Sequence, residues 1–221
     1  MDKRFLAILG VIILAFLGIF FMDNRNKTTE ASGATNHVTG NLQSKVVLVE
    51  YGDYQCSACR SFYPVTKQIK EKYTDRIKFQ FRNLALSSIH PNAFAGARAA
   101  EAADLQGKFW EMHDLLYENQ DPTARSGWVA SKDPLNDFFV TYAKRLNLNV
   151  TKFKTDFASS KVNNRINADD SAFRATKEQL STPTYFLNGK KVDNSKLLDS
   201  NSQPNLDAFS KVLDDALKNT K

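Results

Sequence analysis

The sequence predicts an α/β domain, in which a central mixed β-sheet flanked by helices is interrupted by an all-helical insertion. Three observations lead there. A strand, a helix and a second strand succeed one another between Lys45 and Arg82, the order of a parallel crossover. An Asn188-Gly189 turn joins two short strands ahead of a closing helix, the signature of an antiparallel hairpin. The residues between, 88–179, carry helical stripes and no strand pattern.

Ahead of this domain, residues Phe5 to Phe21 run without a charge behind Lys3 and Arg4. As a helix they would span ~25 Å, against a hydrocarbon core of ~30 Å. A cleaved signal peptide would end in small residues, whereas Phe20, Phe21, Met22 and Asp23 follow here. The expectation is a short cytoplasmic segment (1–4), a transmembrane signal anchor (5–22) and a single-pass cell-membrane protein whose catalytic domain lies outside the cytoplasm. Residues 23–41 are rich in Asn, Thr, Ser and Gly. That composition cannot repay the entropy of ordering and reads as a flexible extracytoplasmic tether. The core is then expected over 42–87 and 180–218, with 88–179 as the insertion.

Lys45 to Tyr51 is a β-branched apolar run suited to a strand inside a sheet. Phe62, Val65, Ile69 and Tyr73 lie along one helical face, so a helix begins near Cys56. Ile77, Phe79 and Phe81 alternate with polar residues and predict a strand with one buried face. Helical stripes follow: Phe109, Met112 and Leu116; Leu135, Phe138, Tyr142 and Leu146; Phe153 and Phe157; Val162, Ile166 and Phe173. Asp133-Pro134 and Thr151 look like helix starts. Thr184 to Leu187 is a strand candidate, and Leu206, Phe209, Leu213 and Ala216 define the last helix.

At 221 residues with 16 phenylalanines, the chain can bury a substantial core. Its formal charge of +6 is scattered among acids rather than gathered into a stripe, which argues for a solvated basic surface and against a nucleic-acid partner.

The chemistry points to Cys56 and Cys59, the only cysteines. Their disulfide would close too small a loop to remove much unfolded-state entropy, so it is a poor structural staple. A structural zinc site wants four ligands, and His37, His90 and His113 lie far apart in sequence, so no metal is expected. The amide groups and dipole of a helix N-terminus stabilise a thiolate. Cys56 is therefore the expected nucleophile and Cys59 the resolving thiol, exchanging with substrate thiols through a mixed disulfide. Phe94, Phe109, Trp110, Tyr117 and Trp128 could line a groove for unfolded chains or simply fill the core.

From about Val38 to Lys218 the chain resembles the DsbA-like thiol–disulfide oxidoreductases of the thioredoxin superfamily. The likeness rests on V-V-L-V-E-Y-G-D-Y-Q-C-S-A-C, F-R-N-L, H-P-N-A, G-K-F-W-E-M-H-D and T-P-T-Y-F-L-N-G. It implies a thioredoxin-like fold. It also implies a cis proline at Pro183, with the backbone of Thr182 free to pair with a substrate strand, and an acid at Glu50 that moves a proton for the buried cysteine. His90 and His113 match family segments away from the redox centre and are expected to be structural. No cofactor is implied beyond the Cys56–Cys59 disulfide. The Ser57-Ala58 dipeptide departs from the best-known member, having no histidine or proline, so its strongly oxidising character does not carry over.

The function implied is that of a monomeric oxidase. It would give its disulfide to exported unfolded or reduced proteins and be recharged by a quinone-linked thiol oxidase in the membrane. A reductase or maturation factor would use the same pair. From a different class, a chaperone or binding module would not need the cysteines at all.

Overall fold

In the computed structural model, which describes residues 33–121 and 123–220, the apolar run after Lys45 becomes the middle strand of a five-stranded sheet. The strands are β1 (His37–Gly40), β2 (Val47–Gly52), β3 (Lys78–Asn83), β4 (Thr184–Leu187) and β5 (Lys190–Lys191), in the spatial order β1-β3-β2-β4-β5. Helix α1 (Ser57–Lys72) makes the crossover that leaves β2 and β3 parallel, and the remaining pairs are antiparallel. The sheet is therefore mixed, as expected. Asn188 and Gly189 have φ of 50° and 77°, the left-handed pair that a type I′ turn requires.

Side chains alternate along a strand, and this divides the core. Leu48, Phe79, Phe81 and Tyr185 belong to the main cluster, which α1 covers with Phe62, Tyr63 and Ile69. Tyr51 and Phe186 turn to the other face and meet Phe173 and Leu84. The buried face of α1 also includes Thr66, whereas Val65 is only partly covered. The expected stripe is rotated because the Tyr63 ring stacks on Tyr117, centroids 5.2 Å apart, and Thr66 Oγ1 donates to the carbonyl of Phe62. Helix α8 (Leu206–Lys218), capped by Asn205, buries Phe209 and Leu213, and Tyr73 donates to the Ser210 carbonyl across the two helices.

The insertion comprises α2 (Ala93–Asp104), α3 (Phe109–Glu118), α4 (Gly127–Ala130), a π-helical turn at Leu135–Phe139 continuing into α5 (Val140–Arg145), α6 (Val150–Phe157) and α7 (Ser160–Ala175). Each sequence stripe falls on one of these helices. Helix α2 had none, because alanines bury it on most sides: Ala97, Ala99, Ala100, Ala102 and Ala103 are all at most 2% exposed. Of the candidate groove aromatics, Phe109, Tyr117 and Trp128 are buried in the main cluster; Trp110 and Phe94 are partly covered.

One boundary differs from expectation. Residues 34–41, assigned by composition to the tether, contain β1, an edge strand paired antiparallel with β3. Polar contacts hold it: Thr35 donates from N and Oγ1 to the Asp169 carboxylate, both at 2.7 Å, and His37 stacks on Phe109 at 3.5 Å. An argument that counts apolar side chains cannot see such anchors. The expected anchor over 5–22 lies outside the described residues; among those described, no helix is long and apolar enough to cross a membrane.

Candidate active site

The β2–α1 connection places both cysteines at one end of the sheet. Cys56 is the N-cap of α1, with no side-chain cap to compete for the first amide groups, and its carbonyl accepts from Arg60 N at 3.0 Å. Cys59 sits one turn in and is fully buried, while Cys56 is 7% exposed. Ser57 and Ala58 between them face solvent. Both cysteines are thiols, so the geometry is that of the reduced pair.

The two thiols have opposite acidities. Hydrogen bonding with Cys59 and with Thr182, against the opposing effect of burial, pulls Cys56 down to about 6. The Cys56 thiol donates to the Thr182 carbonyl at 3.5 Å. Burial pushes Cys59 well above the ordinary thiol range, reinforced by its neighbour. The Thr182–Pro183 peptide is cis, and Pro183 precedes β4, as the motif implied. Cys56, Cys59, Thr182 and Pro183 thus converge on one spot.

Glu50 enters from β2, between Phe81 of β3 and Tyr185 of β4. It is 3% exposed, and burial raises its pKa to about 7 in spite of Lys70 and a hydrogen bond from Tyr185. A carboxyl poised there can take or release a proton near neutral pH. Lys70 reaches in over the Trp110 ring, 4.4 Å from its centroid, and burial lowers its pKa in turn.

Several residues that hold this site were assigned no role from the sequence. Asp53, 1% exposed, accepts from Gln55 N at 2.7 Å and Leu86 N at 2.9 Å, and its own N–H donates to Cys59 Sγ at 3.5 Å. Gln55 Oε1 accepts from Asn92 N, and Gln120 Nε2 donates to the Cys56 carbonyl at 3.2 Å, which ties the cysteine loop to the insertion. These partners are scattered in sequence, and only the fold brings them together.

The three histidines do not meet. His113 is sealed in the core beside Tyr54, and burial lowers its pKa. His37 contacts Glu101 at 2.6 Å and Asp104 at 3.4 Å. These three groups could present ligand atoms to an ion, but Arg165 already reaches both carboxylates, at 3.1 and 2.5 Å. His90 was expected away from the redox centre, yet its Nδ1 pairs with Asp53 Oδ2 at 2.8 Å, because the segment after β3 folds back over the cysteine loop.

Known proteins resemble this chain in sequence and in fold. A family model described as Thioredoxin matches residues 32–215. Na(+)/H(+) antiporter NhaA 1 of Salinispora arenicola is 35% identical over 174 residues, 79% of this chain. The chain spans only about a quarter of the length of such antiporter relatives. Probable disulfide bond formation protein D of Bacillus anthracis is 26% identical over 217 residues, covering 96% of this chain and 91% of that protein. Among solved structures, oxidised BdbD from Bacillus subtilis superposes with a TM-score of 0.66 at 21% identity, over 83% of this chain and 93% of that one. MdbA, a thiol-disulfide oxidoreductase from Actinomyces oris, gives 0.60 at 23% identity, over 80% and 86%.

Proposed function

The chain belongs to the thioredoxin family, and from that premise we propose that it is a DsbA-type thiol–disulfide oxidoreductase that introduces disulfide bonds into exported proteins through Cys56 and Cys59. The observation that carries this reading is the asymmetry of the pair: an acidic Cys56 thiol at a helix N-terminus beside a sealed, high-pKa Cys59. A substrate thiolate attacks Cys56 of the disulfide and releases the Cys59 thiolate, which takes a proton. A second substrate thiolate then attacks the substrate sulfur of the mixed disulfide and releases the Cys56 thiolate. The substrate loses two electrons and becomes a disulfide, and the enzyme becomes a dithiol. Glu50 serves the proton exchange of Cys59, and Thr182 and Pro183 receive the extended client. Exposed Leu180 and Ile89, 41% and 67% exposed, offer apolar contacts to an unfolded chain next to Thr182 and His90.

The compartment and partners belong to the same proposal. The uncharged run 5–21 anchors the domain outside the cytoplasm, where disulfides persist, and a quinone-linked thiol oxidase in the membrane re-forms the Cys56–Cys59 bond. The reductase reading is kept alive by one observation. A Cys56 pKa of about 6 lies closer to the ~7 of thioredoxin than to the ~3.5 of a strong oxidase.

The deciding experiment is redox equilibration with glutathione, combined with trapping by Cys59→Ser. A potential toward roughly −120 mV, with stable mixed disulfides on reduced clients, supports the oxidase; roughly −270 mV points to the reductase. Absence of any reversible disulfide would sink both and leave a binding module.

A further inference from the structure

The Ser57-Ala58 dipeptide places no positive charge between the cysteines, but the fold brings one from elsewhere. His90, on the segment between β3 and α2, contacts Asp53 Oδ2 through Nδ1 at 2.8 Å, its side chain 21% exposed and that of Asp53 0%. The carboxylate is fixed beneath the redox pair. Its residue's N–H donates to Cys59 Sγ at 3.5 Å, and its residue's carbonyl accepts from Cys56 N at 3.1 Å. Backbone donors from Gln55 and Leu86 hold the carboxylate oxygens from two further directions. A negative charge on Asp53 works against a thiolate on either cysteine.

We infer that His90 tunes the nucleophile: its imidazolium, paired with Asp53, offsets the buried carboxylate beside the cysteines and so favours the Cys56 thiolate. This rests on the redox reading of the pair. His90 is a positioning residue here, since it acts on the thiol through the Asp53 charge and the local field. The groups that act on its ring are Asp53, from the β2–α1 connection, and Cys56, at the start of α1; the hydrogen bond to Asp53 is the larger influence, and both raise its basicity. Hydrogen bonding with Cys59 and Thr182 lowers Cys56, and Asp53 opposes that lowering.

The consequence is redox poise. Reduction of the disulfide takes two electrons from a substrate dithiol, which leaves as a disulfide. One of the two protons goes to Cys59 and the other is released to solvent, while Cys56 remains a thiolate. Whatever stabilises that thiolate, and not the disulfide, stabilises the reduced enzyme and makes it the stronger oxidant. A tenfold loss of thiolate stability lowers the potential by about 30 mV.

The test uses the full-length reduced protein. Thiolate absorbance is followed against pH, and the potential is measured in glutathione buffers, for wild type, His90→Gln and His90→Lys. His90→Gln should cut the thiolate fraction up to tenfold at pH below the transition and lower the potential by up to about 30 mV, while His90→Lys should restore both. A second measurement needs no His90 variant: by reciprocity of coupling, the His90 titration followed by NMR should fall to lower pH in reduced Cys56→Ser than in wild type. If His90→Gln only lowers thermal stability, with transition and potential unchanged and no NMR shift in Cys56→Ser, His90 is a structural residue and the inference is overturned. A wild-type protein with no reversible disulfide would instead overturn the redox reading itself, a separate and recognisable result.

Discussion

Glu50→Gln is the sharpest probe of the site, because the same substitution changes stability and turnover in opposite directions. Glu50 is 3% exposed, and its pKa rises from 4.5 to about 7 on folding, chiefly through burial. A carboxyl with a raised pKa holds its proton more tightly in the folded state, so the fold is penalised as pH rises. The penalty is absent below pH 4.5, grows through the window up to about 7 and is complete above it. At 1.36 kcal/mol per pH unit, a displacement of that size amounts to about 3 kcal/mol. Glutamine reproduces the neutral form in nearly the same volume. Glu50→Gln should therefore be about as stable as wild type at pH 4.5 and about 3 kcal/mol more stable at pH 8, on the order of 10 °C in Tm for a domain of this size. The assay is urea denaturation of the reduced protein at a series of pH values from 4.5 to 8. Turnover in the same variant should be slower under the proposed role of Glu50 in the proton exchange of Cys59. A stability difference that does not depend on pH would refute the assignment of a buried, titrating carboxyl. Equal stability gain with unchanged exchange kinetics would keep the burial but remove Glu50 from the mechanism.

Three further outcomes follow from the geometry. Iodoacetamide at pH 7 should label Cys56 and spare buried Cys59, with a rate that climbs through pH about 6; peptide mass spectrometry decides, and equal labelling would contradict the asymmetry of the pair. His37 has its pKa raised to about 9, with its hydrogen bonds to Asp104 and Glu101 outweighing burial. Its contribution is therefore complete below 6.5 and lost as pH rises through about 9, so His37→Gln should cost roughly 3 kcal/mol at pH 6 and little at pH 10 in denaturation curves. Gly52→Ala should destabilise by roughly 1–3 kcal/mol by overpacking. The added methyl would lie 2.5 Å from Phe81 Cε2 and 2.9 Å from Tyr117 Oη, both in rings sealed in the core, and a Tm within a degree of wild type would show that they give way.

The sequence by itself determined the order of strands and helices, because hydrophobic period is a local property. The run 46–49, the alternation around Phe79 and the Asn188-Gly189 turn each specify their element without help from distant residues. It also singled out the pair proposed as the redox centre, since two cysteines three apart at a helix start admit little other chemistry. The edge strand β1 and helix α2 escaped it for opposite reasons. β1 is held by backbone pairing and by polar partners from α2 and α7, and α2 is buried on too many sides to show a stripe. Tertiary structure alone decided the electrostatics. Cys56, lowered chiefly by Cys59, also meets Thr182, 126 residues away, and Asp53 pairs with His90, 37 residues away. Coulomb and desolvation energies depend on distances through space and on the exclusion of water, and neither is written along the chain.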